Sequence, residues 1–236
     1  MEPLTLTPVA VYHCGFPTKF GLPRQSGLAP DLHGEIVFLP PFRNPDFLRG
    51  IEAFSHLWLL WRFNEAPSVS PTVRPPKLGG NKRVGVFASR SPFRPNPLGL
   101  SCVKLEGVTD TAQGKVLRVS GGDLMDGTVI FDVKPYLPYA DAHPDATGGY
   151  AVPGDAARLK VVIPPELEAA IPADGLSALT EALAQDPRPG YQTDPDRTYY
   201  LPYAGFDVGF TVCGGTVTVT EIKELNQAID ARPSYD

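Results

Sequence analysis

Residues 71–101 read Pro71-Thr-Val-Arg-Pro-Pro-Lys-Leu-Gly-Gly-Asn-Lys-Arg-Val-Gly-Val-Phe-Ala-Ser-Arg-Ser-Pro-Phe-Arg-Pro-Asn-Pro-Leu-Gly-Leu-Ser101. Six prolines and four glycines lie in this stretch, and from Arg74 to Lys104 there are seven Lys/Arg and no Asp/Glu. Proline fixes φ and glycine allows positive φ, so a segment rich in both draws shaped turns. The short apolar run 84–88 reads as a strand between two such turns. Shaped loops with unopposed positive charge, mounted on a strand, suit an anionic ligand such as RNA. A rigid surface loop with solvated charges is the alternative for a basic Pro/Gly segment.

Outward from this stretch the chain alternates short apolar runs with turn residues. Upstream, residues 4–12, 35–39 and 54–63 read as strands, the last nearly all apolar and therefore buried. Asn44-Pro45 is placed to cap a short helix over 47–52. Downstream, residues 98–105, 115–120 and 129–134 read as strands, with a tight turn at Asp126-Gly127. Strands and turns with hardly a helix favour a β-barrel-like domain over a doubly wound sheet. Neither Gly-x-Gly-x-x-Gly after a strand nor Gly-x4-Gly-Lys-Ser/Thr is present. The composition shifts near Pro153. Residues 165–170 and 175–185 read as helices, and 199–203, 206–213 and 216–222 as strands, the last two forming a hairpin around Gly214-Gly215. The expected fold is mainly β: a barrel-like domain over 1–150 and a small α+β domain over 151–236.

The net charge is −5, yet the charge is unevenly divided, with 12 Lys/Arg against 8 Asp/Glu up to Asp110 and 9 against 18 thereafter. A nucleic-acid partner would dock locally on the face built by the first half. The three cysteines, Cys14, Cys102 and Cys213, are far apart and form no Cys-x-x-Cys. This argues for a reducing compartment and against a zinc site or a disulfide framework. The start of the chain lacks a basic segment followed by an apolar one, and no apolar run approaches bilayer length, so a cytoplasmic location is expected. Cys102 with His56 could be drawn as a nucleophile pair, but nothing in their spacing supports it and Gly-x-Ser-x-Gly is absent.

The stretch 71–101 also resembles the signature of the TrmO (TsaA-like) family. Pro-Thr-Val-Arg-Pro-Pro, Leu-Gly-Gly-Asn, Gly-Val-Phe-Ala-x-Arg-Ser and Phe-Arg-Pro-Asn-Pro-x-Gly stand in order without gaps. Further matches are Pro23-Arg24-Gln25, Asp-Leu-x-Asp-Gly-Thr at 123–128, and Asp-Pro-Arg-Pro-x-Tyr at 186–191. Two places depart from the family pattern: His13-Cys14-Gly15 replaces an Arg/Lys-Ser-Pro type turn, and Val129 stands where proline is frequent.

The resemblance implies a β-barrel methyltransferase that uses S-adenosylmethionine. It would methylate N6 of N6-threonylcarbamoyladenosine, the base 3′ of a tRNA anticodon, with a site shared between two subunits of a homodimer. The partner implied is the tRNA anticodon stem-loop, not DNA or a membrane. Cofactor-binding residues implied are Pro23, Arg24, Gln25, His56, Leu57, Arg90, Leu100, Asp123, Leu124, Met125 and Asp126. The acceptor is a ureido nitrogen delocalised into ring and carbonyl, and the sulfonium donor needs no metal. Catalysis is therefore expected to be in-line positioning plus help with one proton. Asn96, held between two prolines, and Asp126 are the catalytic candidates. Each could instead serve its own turn by bonding local backbone. Arg74, Lys77, Lys82, Arg83 and Arg94, with Arg188 and Tyr191 from the later motif, are the candidate substrate contacts. A non-catalytic module that binds S-adenosylmethionine or a nucleoside is the competing reading.

Overall fold

The computed structural model describes residues 2–65, 68–75, 78, 82–151, 158–188 and 194–225. Six strands close into a barrel: β1 (Ala10–Cys14), β2 (His33–Phe38), β3 (His56–Arg62), β6 (Leu98–Thr111), β7 (Gly114–Ser120) and β8 (Thr128–Pro135). Their order is β1-β2-β7-β6-β3-β8, and every neighbouring pair is antiparallel. Closure leaves the barrel without a sheet edge. The long β6 belongs to both sides of it. Its first half pairs with β3 and its second with β7, so Lys104 sits opposite both His56 and Ser120. A register shift between Leu105 and Gly107 provides the bend. The remaining pair, β4 (Thr72–Val73) and β5 (Val84–Gly85), forms a separate two-stranded arm carrying the signature loop.

Alternation of inward and outward residues builds the barrel core from Tyr12, Ile36, Leu57, Leu59, Val103, Leu117, Val119 and Ile130. Two large side chains fill it at the expense of their neighbours. A Cβ on Gly34 would lie 2.3 Å from the Tyr12 hydroxyl oxygen, and one on Gly99 would lie 2.2 Å from Cε2 of Trp61. Tyr12 is fully buried, and its hydroxyl has no hydrogen-bond partner among the described residues. Burial pushes its pKa well above the usual phenol value, so it stays neutral.

The second unit is a four-stranded sheet. Its strands are β9 (Lys160–Val162), β10 (Tyr199–Tyr203), β11 (Phe206–Cys213) and β12 (Thr216–Glu224). The order is β10-β11-β12-β9, antiparallel except for the parallel β12–β9 pair. Short helices α1 (Pro138–Asp141) and α2 (Pro165–Glu168) precede α3 (Ala173–Ala184). Ala178, Leu179, Ala182 and Leu183, one stripe of α3, share a core with Leu201, Phe210, Val217 and Val219. That core also takes in Phe16, Ala29 and Leu32 from the connection between β1 and β2. The Phe16 and Tyr203 rings lie 4.7 Å apart, Ala204 N–H donates to Gly15 O at 2.7 Å, and Ser177 donates to Asp31 at 2.6 Å. The β1–β2 connection therefore packs into the second core while its ends run on into barrel strands, and the loop at Pro23–Gln25 hangs from it.

The mainly β barrel with an α+β unit is as expected from the sequence; several element limits are not. Residues 4–9 are not strand: Pro8 lacks the N–H a ladder needs, and pairing starts at Ala10. The expected helix over 47–52 is two 3-10 turns, Pro45–Leu48 and Ile51–Ala53, split by Gly50 at φ +85°, although Asn44 does accept the capping bond from Asp46 N–H at 3.0 Å. The expected strand over 84–88 stops at Gly85 and turns into a 3-10 helix, Val86–Ala88. β9 and α1 had no counterpart in the sequence reading.

Overpacking makes the Tyr12–Gly34 contact a test of this core. Gly34→Ala is expected to cost about 1–3 kcal/mol in urea unfolding. Adding Tyr12→Phe removes an unpaired buried hydroxyl but leaves Cζ and Cε2 at 2.4 and 2.7 Å from the new methyl, so it should recover no more than about 1 kcal/mol of that loss.

Candidate functional site

Inward-facing positions on β6 are Gly99, Ser101, Val103 and Leu105, so Ser101 is a hydroxyl inside an apolar barrel. It is fully buried and must be paired. It accepts from the Trp61 indole N–H at 2.9 Å and donates to Asp123 Oδ1 at 2.5 Å. The backbone N–H of Asp123 itself and that of Ser26 face the Asp123 carboxylate and favour its charged form. Ser26 in turn accepts from Cys102 N–H at 3.2 Å through its hydroxyl, and Gly27 N–H donates to Gly121 O at 2.8 Å. The segment 121–123 is thus laced to the loop 24–27 and to the barrel wall. Burial raises the Asp123 pKa above the usual carboxylate value, against the lowering effects of Ser101, the two backbone N–H groups and the charge of Arg90.

Three residues on, Asp126 faces the end of β1. Its side chain is 10% exposed. Its Oδ1 lies 3.0 Å from Nδ1 of His13 and accepts from Cys14 N–H at 3.2 Å. Asp126 N–H donates to Phe16 O at 2.8 Å and Gly127 N–H to Tyr12 O at 2.9 Å. Between the two acids Leu124 is buried, and its carbonyl accepts from the Cys14 thiol at 3.3 Å. Burial pushes the Cys14 thiol up to about 12.

The signature loop is held mostly by itself. Arg94 donates to the carbonyls of Ser89 and Ser91 at 3.0 and 3.1 Å, and Ser89 donates to Val86 O at 2.8 Å. Asn96 is exposed, and its carbonyl accepts from Leu98 N–H at 2.7 Å across Pro97, whose own carbonyl accepts from Phe63 N–H at 2.9 Å. The backbone at Asn96 is therefore fixed while its side-chain amide makes no hydrogen bond among the described residues. Arg90 reaches out of this loop to bond Oε1 of Gln25. Arg83 donates to Thr72 across the β4–β5 arm at 2.8 Å. Phe87 and Leu100 are exposed at 79% and 58% beside these charges.

The expected cofactor residues thus fall into a connected group and an outlying one. Gln25, Arg90, Asp123 and the backbone of Ser26 meet directly, with Pro23 buried beneath an exposed Arg24. Leu100 lies on the same strand, one residue before Ser101. His56, at the start of β3, bonds its neighbour Ser55 at 2.9 Å and lies 6.2 Å from the Tyr136 ring, while Leu57 is core. Of the expected substrate contacts, Arg74, Lys82 and Arg83 are exposed. Arg188 is 14% exposed and holds Asp186 with two bonds, at 2.8 and 2.9 Å, so its charge is matched internally. Lys77 and Tyr191 lie outside the described residues. A cavity of about 530 Å³ opens elsewhere, on the outer face of β1, β2 and β7, lined by His13, His33, Glu35, Glu106 and Arg118 among others. It contains none of the expected cofactor residues and touches them through His13 and Cys14, which bond Asp126 and Leu124. Trp61, Ser101 and Ser26 escaped the sequence reading, although a serine at an inward position of a barrel strand is itself a signal.

Residues 11–142 match the model of the tRNA-methyltransferase O N-terminal domain, and residues 156–225 that of the TrmO C-terminal domain. The chain belongs to the TrmO family. It is 41% identical over 215 residues to the tRNA (adenine(37)-N6)-methyltransferase of Escherichia coli K12, covering 86% of this chain and 91% of that one. A probable S-adenosyl-L-methionine-binding protein of Pyrococcus abyssi is 34% identical over 143 residues, 61% of this chain and 73% of its own length. The crystal structure of TrmO from Pseudomonas aeruginosa superposes with a TM-score of 0.77 at 33% identity, covering 94% of this chain and 99% of that one.

Thiol chemistry checks the burial at this site. Cys213 is exposed, whereas Cys14 is partly buried with its pKa raised. In native protein at pH 8, Ellman's reagent is expected to modify Cys213 quickly, and Cys213→Ser should abolish that phase. Cys14 should react only after unfolding.

Proposed function

We propose that this chain is an S-adenosylmethionine-dependent tRNA methyltransferase, acting on N6 of N6-threonylcarbamoyladenosine 3′ of the anticodon. The observation that carries the reading is the junction of Gln25, Arg90, Ser26 and Asp123, in which three separate stretches expected to hold the cofactor meet at one end of the barrel wall. The E. coli relative's activity and the S-adenosylmethionine binding named for the P. abyssi relative support it.

The residues fit the cofactor. Arg24 and Arg90 supply two guanidinium groups at this junction for the methionine carboxylate, a geometry in which arginine bonds with both arms. Pro23, Gln25, His56, Leu57, Leu100, Leu124 and Met125 are the further binding residues proposed. S-adenosylmethionine would supply an activated methyl group whose bond to sulfur breaks as the bond to N6 forms, with the N6 proton passing to solvent. The chain's part is to hold the acceptor nitrogen in line. Asn96, with its backbone fixed on both sides and its amide unengaged, accepts the N6–H bond. Asp126, committed at Oδ1 to the end of β1, places negative charge near the sulfonium. Arg74, Lys77, Lys82, Arg83 and Arg94, with Arg188 and Tyr191, are proposed for the anticodon stem-loop. Exposed Phe87 and Leu100 support a homodimer closing over the site. A cytoplasmic location follows from the tRNA substrate; among the described residues no helix is long and apolar enough to cross a membrane.

The name of the P. abyssi relative favours one competitor, a module that binds S-adenosylmethionine without turnover. Nucleoside mass spectrometry after incubation with the cofactor and tRNA, with or without the threonylcarbamoyl group, separates them. One added methyl on the threonylcarbamoyl nucleoside alone is expected; intact cofactor binding with no product would favour the module. Arg90→Ala should weaken S-adenosylmethionine binding about ten-fold or more in calorimetry, as for loss of one charge-assisted hydrogen bond. Asn96→Ala should keep that affinity and lower kcat about a hundredfold.

A further inference from the structure

Asp123 was expected to contact the cofactor, yet the structure turns its carboxylate toward the protein. One oxygen takes the Ser101 hydroxyl, and the backbone N–H of Ser26 faces the group. Behind Ser101 stands the Trp61 indole, buried in the barrel, with its ring against Gly99. The Ser101 hydroxyl has one proton to give. Because the indole can only donate, Ser101 must accept from Trp61 and donate onward, which orients its proton toward Asp123. In front of Asp123 stands Ser26, which follows Arg24 and Gln25 directly. Gly121 closes the arrangement: its carbonyl takes Gly27 N–H, its N–H donates to Leu32 O, and its φ of +76° needs glycine.

We propose that Trp61, Ser101 and Asp123 form a positioning relay that runs from the barrel interior to the Ser26 backbone and sets the place of Arg24 and Gln25. None of the three side chains then needs to touch the methyl donor. The inference rests on the methyltransferase reading for the role of Arg24, but not for the relay itself. A direction is built in: donors point from Trp61 through Ser101 to Asp123. On the loop side, Gly121 O takes Gly27 N–H and Ser26 Oγ takes the N–H of Cys102, next to Ser101, so the carboxylate's segment and the loop are tied together. The groups facing it are Ser101 from β6, Ser26 from the loop, Arg90 from the signature arm, and Tyr12 from β1, which stays neutral.

The test uses Ser101→Ala, Trp61→Phe and Asp123→Asn in the full chain, with steady-state kinetics and trypsin. Ser101→Ala should raise KM for S-adenosylmethionine about ten-fold with kcat and KM for tRNA within about two-fold, the size of one lost charge-assisted bond. Trp61→Phe should act in the same direction and more weakly, and Ser101→Thr should restore the hydroxyl and the KM. Because burial raises the Asp123 pKa, protonation on acidification removes the acceptor. In the wild type, KM for the cofactor should therefore rise as pH falls through a value above the ordinary carboxylate range, and this limb should be missing in Asp123→Asn. Trypsin reads the loop without any activity: cleavage after the exposed Arg24 should be about ten-fold faster in Ser101→Ala than in wild type, as local opening becomes easier. If the wild type turns over but Ser101→Ala shows only a lower Tm, with KM and cleavage after Arg24 unchanged, the relay is wrong. If the wild type shows no methyl transfer, the functional reading fails, and the cleavage rate still decides the relay.

Discussion

A polar pair buried inside an apolar barrel sets the rest of the site. Trp61 and Ser101 lie on neighbouring strands, face inward, and are 8% and 0% exposed. Their hydrogen bond leaves one proton on Ser101 without a partner in the wall itself. Leaving a buried donor unpaired costs about 1–3 kcal/mol, which is large against the few kcal/mol that separate folded from unfolded states. Asp123 resolves the deficit from outside the barrel. To do so the segment before β8 must cross the end of the barrel, and it brings Leu124 and Asp126 with it. The same acid then collects Ser26, so the loop over the barrel end is fixed by a demand that originates in the core.

The second constraint is that the β1–β2 connection serves two cores. Phe16, Ala29 and Leu32 are buried among residues of the C-terminal sheet, while Gly27 and Ser26 are bonded to the barrel. A loop pinned at both ends by apolar burial can hold charged tips in a fixed place, where a free loop would lose entropy on binding a ligand. Arg24 is such a tip, exposed directly after a buried proline. The charge asymmetry seen along the chain acquires a location in this way. The basic half supplies most of the barrel and the signature arm, and the acidic half supplies β7, β8, the segment with Asp123 and Asp126, and the C-terminal sheet.

The barrel was legible because period-two alternation and turn residues are local signals, as the residues of β3, β7, β8 and β10–β12 show. Closure was not legible in pairing detail, because which strand neighbours which depends on contacts between distant residues: β2 with β7, or β1 with β8. Pro8 and Gly50 illustrate the local misses. Apolar spacing suggested a strand at the first and an Asn-Pro cap a helix at the second, and a missing N–H and a left-handed glycine overrode them. The cofactor residues were named from family resemblance, not from physics, and resemblance assigns positions without saying which way a side chain turns. Asp123 and Arg188 are the clear cases. Each was named for what it could offer a ligand, and each is bonded within the protein. The relay escaped because its members are 40 and 22 residues apart in sequence, although the inward serine was visible in the alternation of β6.

The two acids of the segment 123–126 divide the work at this end of the barrel. Asp123 answers the barrel interior and the loop after Arg24. Asp126 answers the end of β1, where His13 Nδ1 lies 3.0 Å from its Oδ1 and Cys14 N–H donates to the same oxygen. This pairing fixes the carboxylate at the barrel end. It also separates the duties of the catalytic candidates. An acid already bonded to two donors at one oxygen is a poor proton carrier, while Asn96 has a rigid backbone and an unengaged amide. In the proposed reaction, orientation of the acceptor nitrogen thus falls to Asn96, and field effects on the donor to Asp126.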